Sequence, residues 1–125
     1  MQAQLSTRPR RAGNLERAAW LFTRISAVIL LVMAMFHLFY MHIAMGMDAI
    51  SFQLIAWRWQ FPIWRLFDLT LLVFGWLHGA NGMRVVLDDY VHSPAARLVA
   101  RGLLFAVTAI LIALGAFVVI TFRPG

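Results

Sequence analysis

Apolar residues gather into three long runs, each interrupted by few charges. The first extends from Ala18 to Met45, with Arg24 near its start. The second extends from Trp64 to about Val86, with Asp68 near its start and His78 within. The third extends from Leu98 to Phe122, with Arg101 at its start and no charge between Gly102 and Phe122. Each can supply the ~20 residues that a spanning helix needs. The pattern predicts an all-α integral membrane protein with three transmembrane helices, at about 18–45, 64–88 and 97–122. The third reads as a plain anchoring and packing helix.

The polar stretches divide these runs. Arg8, Pro9, Arg10, Arg11 and Gly13 make residues 1–15 a short basic tail and leave 16–125 as one membrane anchor domain. The first run is long and no small-residue cleavage site follows a short apolar core, so a span is expected there and not a signal peptide. The connection 46–63 contains Gly46, Asp48, Ser51, Arg58 and Pro62 together with Trp57 and Trp59, with Trp64 just beyond. Tryptophans cluster where a bilayer meets water, so a short interfacial helix is expected in this connection. Ser93-Pro94 is a start signal for the last helix. There is no internal repeat or low-complexity tract.

Composition agrees. Of the 125 residues 62% are hydrophobic, where a soluble domain would be nearer one half. The chain has no cysteine, which excludes disulfides and thiolate-held iron–sulfur clusters or zinc. The net charge of +6 comes from arginine alone. These arginines flank apolar runs, so topology accounts for them and nucleic acid is not expected as a partner. With three spans, the N-terminus and the 88–97 loop share one side. Arg8, Arg10, Arg11, Arg17, Arg24, Arg84, Arg97 and Arg101 lie on that side, against Arg58, Arg65 and Arg123 on the other. The positive-inside bias then turns the N-terminus and the Asp89–Tyr90 end toward the cytoplasm, or a mitochondrial matrix.

The candidate chemistry lies in the second run. A histidine within a membrane helix is costly and usually has a partner. His78 suits two roles: a hydrogen bond to a neighbouring helix, or axial ligation of haem iron by neutral imidazole. Gly75, Gly79 and Gly82 would let a helix or a flat macrocycle approach the backbone closely. Asp89 follows His78 by about three helical turns and so shares its face, about 16 Å further along the axis. Tyr90 could donate a hydrogen bond to a quinone carbonyl with Asp89 beside it, or be an ordinary interfacial tyrosine. Asp88 and Asp89 stand at a helix C-terminus, where negative charge is disfavoured; Arg84, four residues before Asp88, can pair with it.

Other polar positions have two readings each. Arg24 can reach lipid headgroups or a haem propionate. His37 and His42 diverge by about 140° on one helix, so they cannot easily serve one iron. His37 could ligate a second haem or hydrogen-bond within the bundle. His92 is expected in solvent, and Asp68 with Arg65 is expected as a rim ion pair at i,i+3 spacing. The methionines Met33, Met35, Met41, Met45 and Met47 read as lipid-facing or gap-filling side chains and not a copper site.

The pattern His78-x3-Gly82-Met83-x2-Val86-Leu87-x-Asp89-Tyr90, with Arg24-x-Ser26-Ala27-Val28 in the first run, resembles the small hydrophobic anchor subunit of succinate dehydrogenase, respiratory complex II. The resemblance covers most of residues 15–122, and its specific part is the spacing from histidine to Asp-Tyr. It implies that His78 is an axial ligand of haem b, with the opposite ligand from a second hydrophobic cytochrome b anchor subunit. It implies that Tyr90 donates a hydrogen bond to ubiquinone or menaquinone, that Asp89 supports this site and that Arg24 contacts a haem propionate. Succinate oxidation would then take place on flavoprotein and iron–sulfur partner subunits, with this chain in a bacterial cytoplasmic (inner) membrane. Some members of the wider family carry two haems, and His37 and His42 leave that option open. Alternatives are a fumarate reductase anchor working in reverse, a haem-free anchor or assembly subunit, and another small cytochrome b-type subunit.

Overall fold

The computed structural model describes residues 10–123, and the described chain is helical throughout apart from short connections. Helix α1 spans Arg10–Leu38 and continues as a π-helical segment, Phe39–Ala44. After a 3₁₀ turn at Met47–Ala49 come α2 (Phe52–Arg58), α3 (Pro62–Tyr90) and α4 (Pro94–Thr121). Among the described residues, both prolines fall outside helix interiors. Pro62 and Pro94 open α3 and α4, where a missing N–H costs nothing. Ser51 and Ser93 cap α2 and α4 by accepting from the backbone N–H of Leu54 and Ala96. Gly46 has φ of 80°, a left-handed conformation that turns the chain out of the π segment.

The long helices outrun the apolar runs that announce them. Residues 10–15 of the expected basic tail are helical, and residues 1–9 lie outside the described residues. The expected helix in the 46–63 connection is α2. Two helices, Gly13–Ala44 and Pro94–Thr121, are long and apolar enough to cross a membrane. α3 equals α1 in length, at 29 residues, but Asp68, His78, Asn81 and Arg84 dilute its apolar character. It also occupies the middle, with α1 packed on one side and α4 on the other. α3 is therefore the long helix most covered by the other two.

α1 and α3 run antiparallel, and their contacts pair Glu16 with Arg84, Ser26 with His78 and Tyr40 with Trp64. α3 and α4 are likewise antiparallel. A Cβ built on Gly115 of α4 would lie 2.6 Å from Leu72 Cδ2 of α3, so this glycine sets how closely the two helices approach. Few side chains are buried. Large apolar residues such as Ile25, Leu31, Val32, Leu103, Phe117 and Ile120 face outward, as expected where lipid or other subunits replace water.

One polar layer closes the end of the bundle near α2. Arg58 is only 2% exposed. It donates to Asp68 Oδ1 at 3.2 Å and to Met41 Sδ at 3.2 Å, and lies over the rings of Trp64 and Tyr40. Trp59 Nε1 donates to Asp68 Oδ2 at 2.8 Å. This corrects the expected Arg65–Asp68 pair. Arg65 instead donates to the carbonyls of Trp59, Val119, Ile120 and Phe122. The end of α4 presents carbonyls with no helical partner, and a guanidinium fork satisfies several at once. Asp68 is left to the cation that α2 folds back over it. Asp68→Ala is expected to destabilise the fold by about 3 kcal/mol, because it strands the buried Arg58 charge. The thermal denaturation midpoint of the purified complex checks this: it should fall for Asp68→Ala and stay near the wild-type value for the exposed Asp48→Ala.

Candidate functional site

The middle and the far end of α3 carry a polar ladder directed mainly at α1. His78, Asn81, Arg84 and Asp88 recur at helical spacing along one side. The His78 Nδ1 atom lies 2.8 Å from Ser26 Oγ. Asn81 Nδ2 donates to the Ala19 carbonyl at 3.1 Å and to Thr23 Oγ1. Arg84 donates to Asn81 Oδ1 and to Glu16 Oε1, each at 3.2 Å, and lies 3.8 Å from Asp88. Hydrogen bonds between helices hold a contact that apolar packing alone cannot drive in lipid.

The ladder ends in an ion-pair cluster at the α3–α4 turn. Arg101 Nε donates to Asp88 Oδ1 at 2.7 Å, and Arg101 Nη2 donates to Asp88 Oδ2. This forked pairing fixes both planes. Arg97 donates to the carbonyls of Val91 at 2.9 Å and Asp88 at 3.4 Å, which satisfies the open end of α3. Asp88 is thus held from α3 and α4 together, and the Arg84–Asp88 pair expected from i,i+4 spacing is part of a larger cluster. The separation between Asp68 and Asp88 along α3 is about 30 Å at ~1.5 Å per residue. That matches the hydrocarbon thickness of a bilayer, also about 30 Å. His78 lies midway between the two polar layers.

The sequence-predicted residues fall in different places. His78 is half-buried, and its Nε2 makes no hydrogen bond among the described residues and is not buried. The glycines beside it are open: a Cβ at Gly75, Gly79 or Gly82 would meet nothing within 4 Å. Gly75 and Gly79, with Leu71, Leu72 and Trp76, line a shallow groove of about 370 Å³. Asp89 and Tyr90 end α3 at the surface, with Tyr90 79% exposed. Arg24 is exposed and lies 4.9 Å from the Trp20 ring centroid. It stands two residues, about 200°, from Ser26, so it faces away from the α1–α3 contact. His37 stacks on Phe67, and its Nδ1 is 3.9 Å from Asp68 Oδ1, too far for a hydrogen bond. His42 and His92 are exposed.

Sequence reasoning passed over Ser26 and Asn81 as partners, and took Asp88 only as the partner of Arg84 and not of Arg101. Asn81 had a legible signal, since it lies three residues after His78 and Arg84 three later. Ser26 stands in the Arg24-x-Ser26-Ala27-Val28 pattern, but nothing in a sequence aligns a serine of one helix with a histidine of another.

The long apolar helices, two polar layers a bilayer apart and a central polar helix define a helical membrane anchor. Its external features are an imidazole nitrogen beside open glycines and a tyrosine at the rim. Residues 4–120 match the family of the succinate dehydrogenase/fumarate reductase transmembrane subunit. The chain belongs to that family, and is therefore an integral membrane component of such a complex. No individual curated protein matches it.

Proposed function

We propose that this chain is the small anchor subunit of a succinate:quinone oxidoreductase, that His78 supplies one axial ligand to a b-type haem, and that Tyr90 with Asp89 forms part of the quinone site. The observation that carries the reading is the state of the His78 ring. One nitrogen is engaged by Ser26, the other makes no hydrogen bond among the described residues and is not fully buried, and the neighbouring glycines have open space. A packing histidine tends to satisfy both ring nitrogens within the bundle, whereas a ligand engages one and offers the other.

These residues suit half of a haem cage. His78 Nε2 would hold the iron, and the open glycine surface admits a flat macrocycle against α3. When bound, haem supplies a one-electron relay near the quinone. A further ligand would come from a second hydrophobic cytochrome b anchor subunit, as the resemblance implies. Arg24, exposed on α1, would contact a haem propionate. Tyr90 donates its phenolic hydrogen to a carbonyl of ubiquinone or menaquinone, and Asp89 relays protons as two electrons and two protons convert quinone to quinol.

In this reading α3 crosses the bilayer as α1 and α4 do, since its charges are paired at the two polar layers. The arginine-rich end, with the N-terminus, faces the cytoplasm of a bacterial cell. Flavoprotein and iron–sulfur subunits dock there and deliver electrons from succinate toward Tyr90. The absence of cysteine fits this division, since iron–sulfur clusters need thiolates from another chain. Copurification through a tag on this chain tests it: three partner subunits and succinate:quinone reductase activity are expected, and recovery of the chain without a flavoprotein would overturn the assignment.

His37 remains structural here. Its ring packs on Phe67 and faces Asp68, which already serves Arg58 and Trp59. His37→Ala is expected to leave haem per complex unchanged. Quantified haem that drops by one would instead make His37 a ligand of a second haem.

A further inference from the structure

Ser26 behaves unlike the threonines of these helices. Thr23, Thr70, Thr108 and Thr121 each donate to the carbonyl four residues before, at 2.6–2.9 Å. This is the ordinary way for a helix hydroxyl to satisfy itself in apolar surroundings. Ser26 forgoes it. Its oxygen lies 3.3 Å from the Thr23 carbonyl, three residues before, and its shorter contact, 2.8 Å, crosses to His78 Nδ1 on α3. Ser26 is 1% exposed, while its neighbours Ile25 and Val28 are largely exposed.

The hydrogen count gives this geometry a chemical meaning. A hydroxyl has one hydrogen. Both contacts are satisfied together when the hydroxyl donates to the Thr23 carbonyl and accepts from Nδ1–H. The proton then resides on Nδ1, and the Nε2 lone pair is free on the outward side of the ring. That is the tautomer a metal needs from Nε2, and a hydrogen bond from Nδ1–H also fixes ring rotation and raises donor strength. Resting on the haem-ligand reading of His78, we propose that Ser26 is a positioning residue which sets the tautomer and orientation of His78, and through them the haem potential.

The test uses the whole complex purified with its partner subunits. Two variants are compared: Ser26→Ala, which removes the contact to His78, and Thr23→Val, which removes a hydroxyl from the same helix contact without touching His78. The readouts are the haem midpoint potential by redox titration and the rate of haem transfer to apomyoglobin. Ser26→Ala is expected to raise the midpoint potential, because a weaker imidazole donor stabilises ferric iron less. It is expected to speed haem loss about 10–100-fold, the usual effect of removing such a partner. Thr23→Val should leave both near wild type. Haem lost outright from Ser26→Ala but kept by Thr23→Val supports the assignment in a stronger form. Unchanged values in Ser26→Ala, or equal changes in both variants, overturn it. A parallel His78→Ala complex separates the two levels. If it lacks haem while Ser26→Ala is unaffected, only the role of Ser26 fails. If it keeps its haem, the ligand assignment fails and the role of Ser26 with it.

Discussion

His78→Ala is expected to yield an assembled complex without its b-type haem. The substitution removes the ring nitrogen left without a hydrogen bond among the described residues and leaves the glycines beside it unchanged. Assembly should survive, because the α1–α3 contact keeps Asn81 on Ala19 and Thr23, and Arg84 on Glu16. The local cost is the Ser26 contact and a small void, about 1–3 kcal/mol for a buried hydroxyl left without its partner. Haem quantified per flavin in the purified complex should fall close to zero. His78→Gln separates size from ligation: it fills the space, and it too should lack haem.

Tyr90→Phe is expected to slow quinone reduction about 10–100-fold while succinate oxidation with a soluble artificial acceptor continues at the wild-type rate. Tyr90 is 79% exposed at the end of α3, so its phenol carries no part of this chain's packing. Loss of one hydrogen bond to a developing quinol oxygen accounts for roughly one to two powers of ten in rate. The ratio of the two activities is the decisive quantity. An equal fall in both would mean misassembly and would remove Tyr90 from the quinone site. The neighbouring cluster makes this experiment clean. Asp88, not Tyr90, ties the α3–α4 turn together through Arg101 and Arg84, so the backbone under Tyr90 is held independently of its side chain.

The helices were legible in the sequence because lipid imposes a plain rule: long apolar runs, broken by proline and tryptophan-rich turns, become helices. Their ends were less legible. α1 begins at Arg10 and α3 reaches Tyr90, since charged residues near a membrane surface extend a helix without adding to its apolar signal. Ion pairing misled where it was read along the chain. Arg65 and Asp68 are neighbours on one helix, yet α2 folds Arg58 onto Asp68 and the end of α4 draws Arg65 away. Arg84–Asp88 was read correctly because both partners share one face. The candidate site divides in the same way. His78, Asp89 and Tyr90 are candidates that spacing within a single helix suggests. Ser26 needed the register between two helices, which periodicity does not encode.

Haem content of the native assembly tests the central claim most directly. The complex is isolated through a tag on this chain, a reduced-minus-oxidised spectrum is recorded, and haem is counted against covalently or tightly held flavin. One b-type haem per flavin is the predicted result. An intact complex that reduces quinone with no haem would contradict the account, and would leave His78 as a packing residue in an anchor that carries only a quinone pocket.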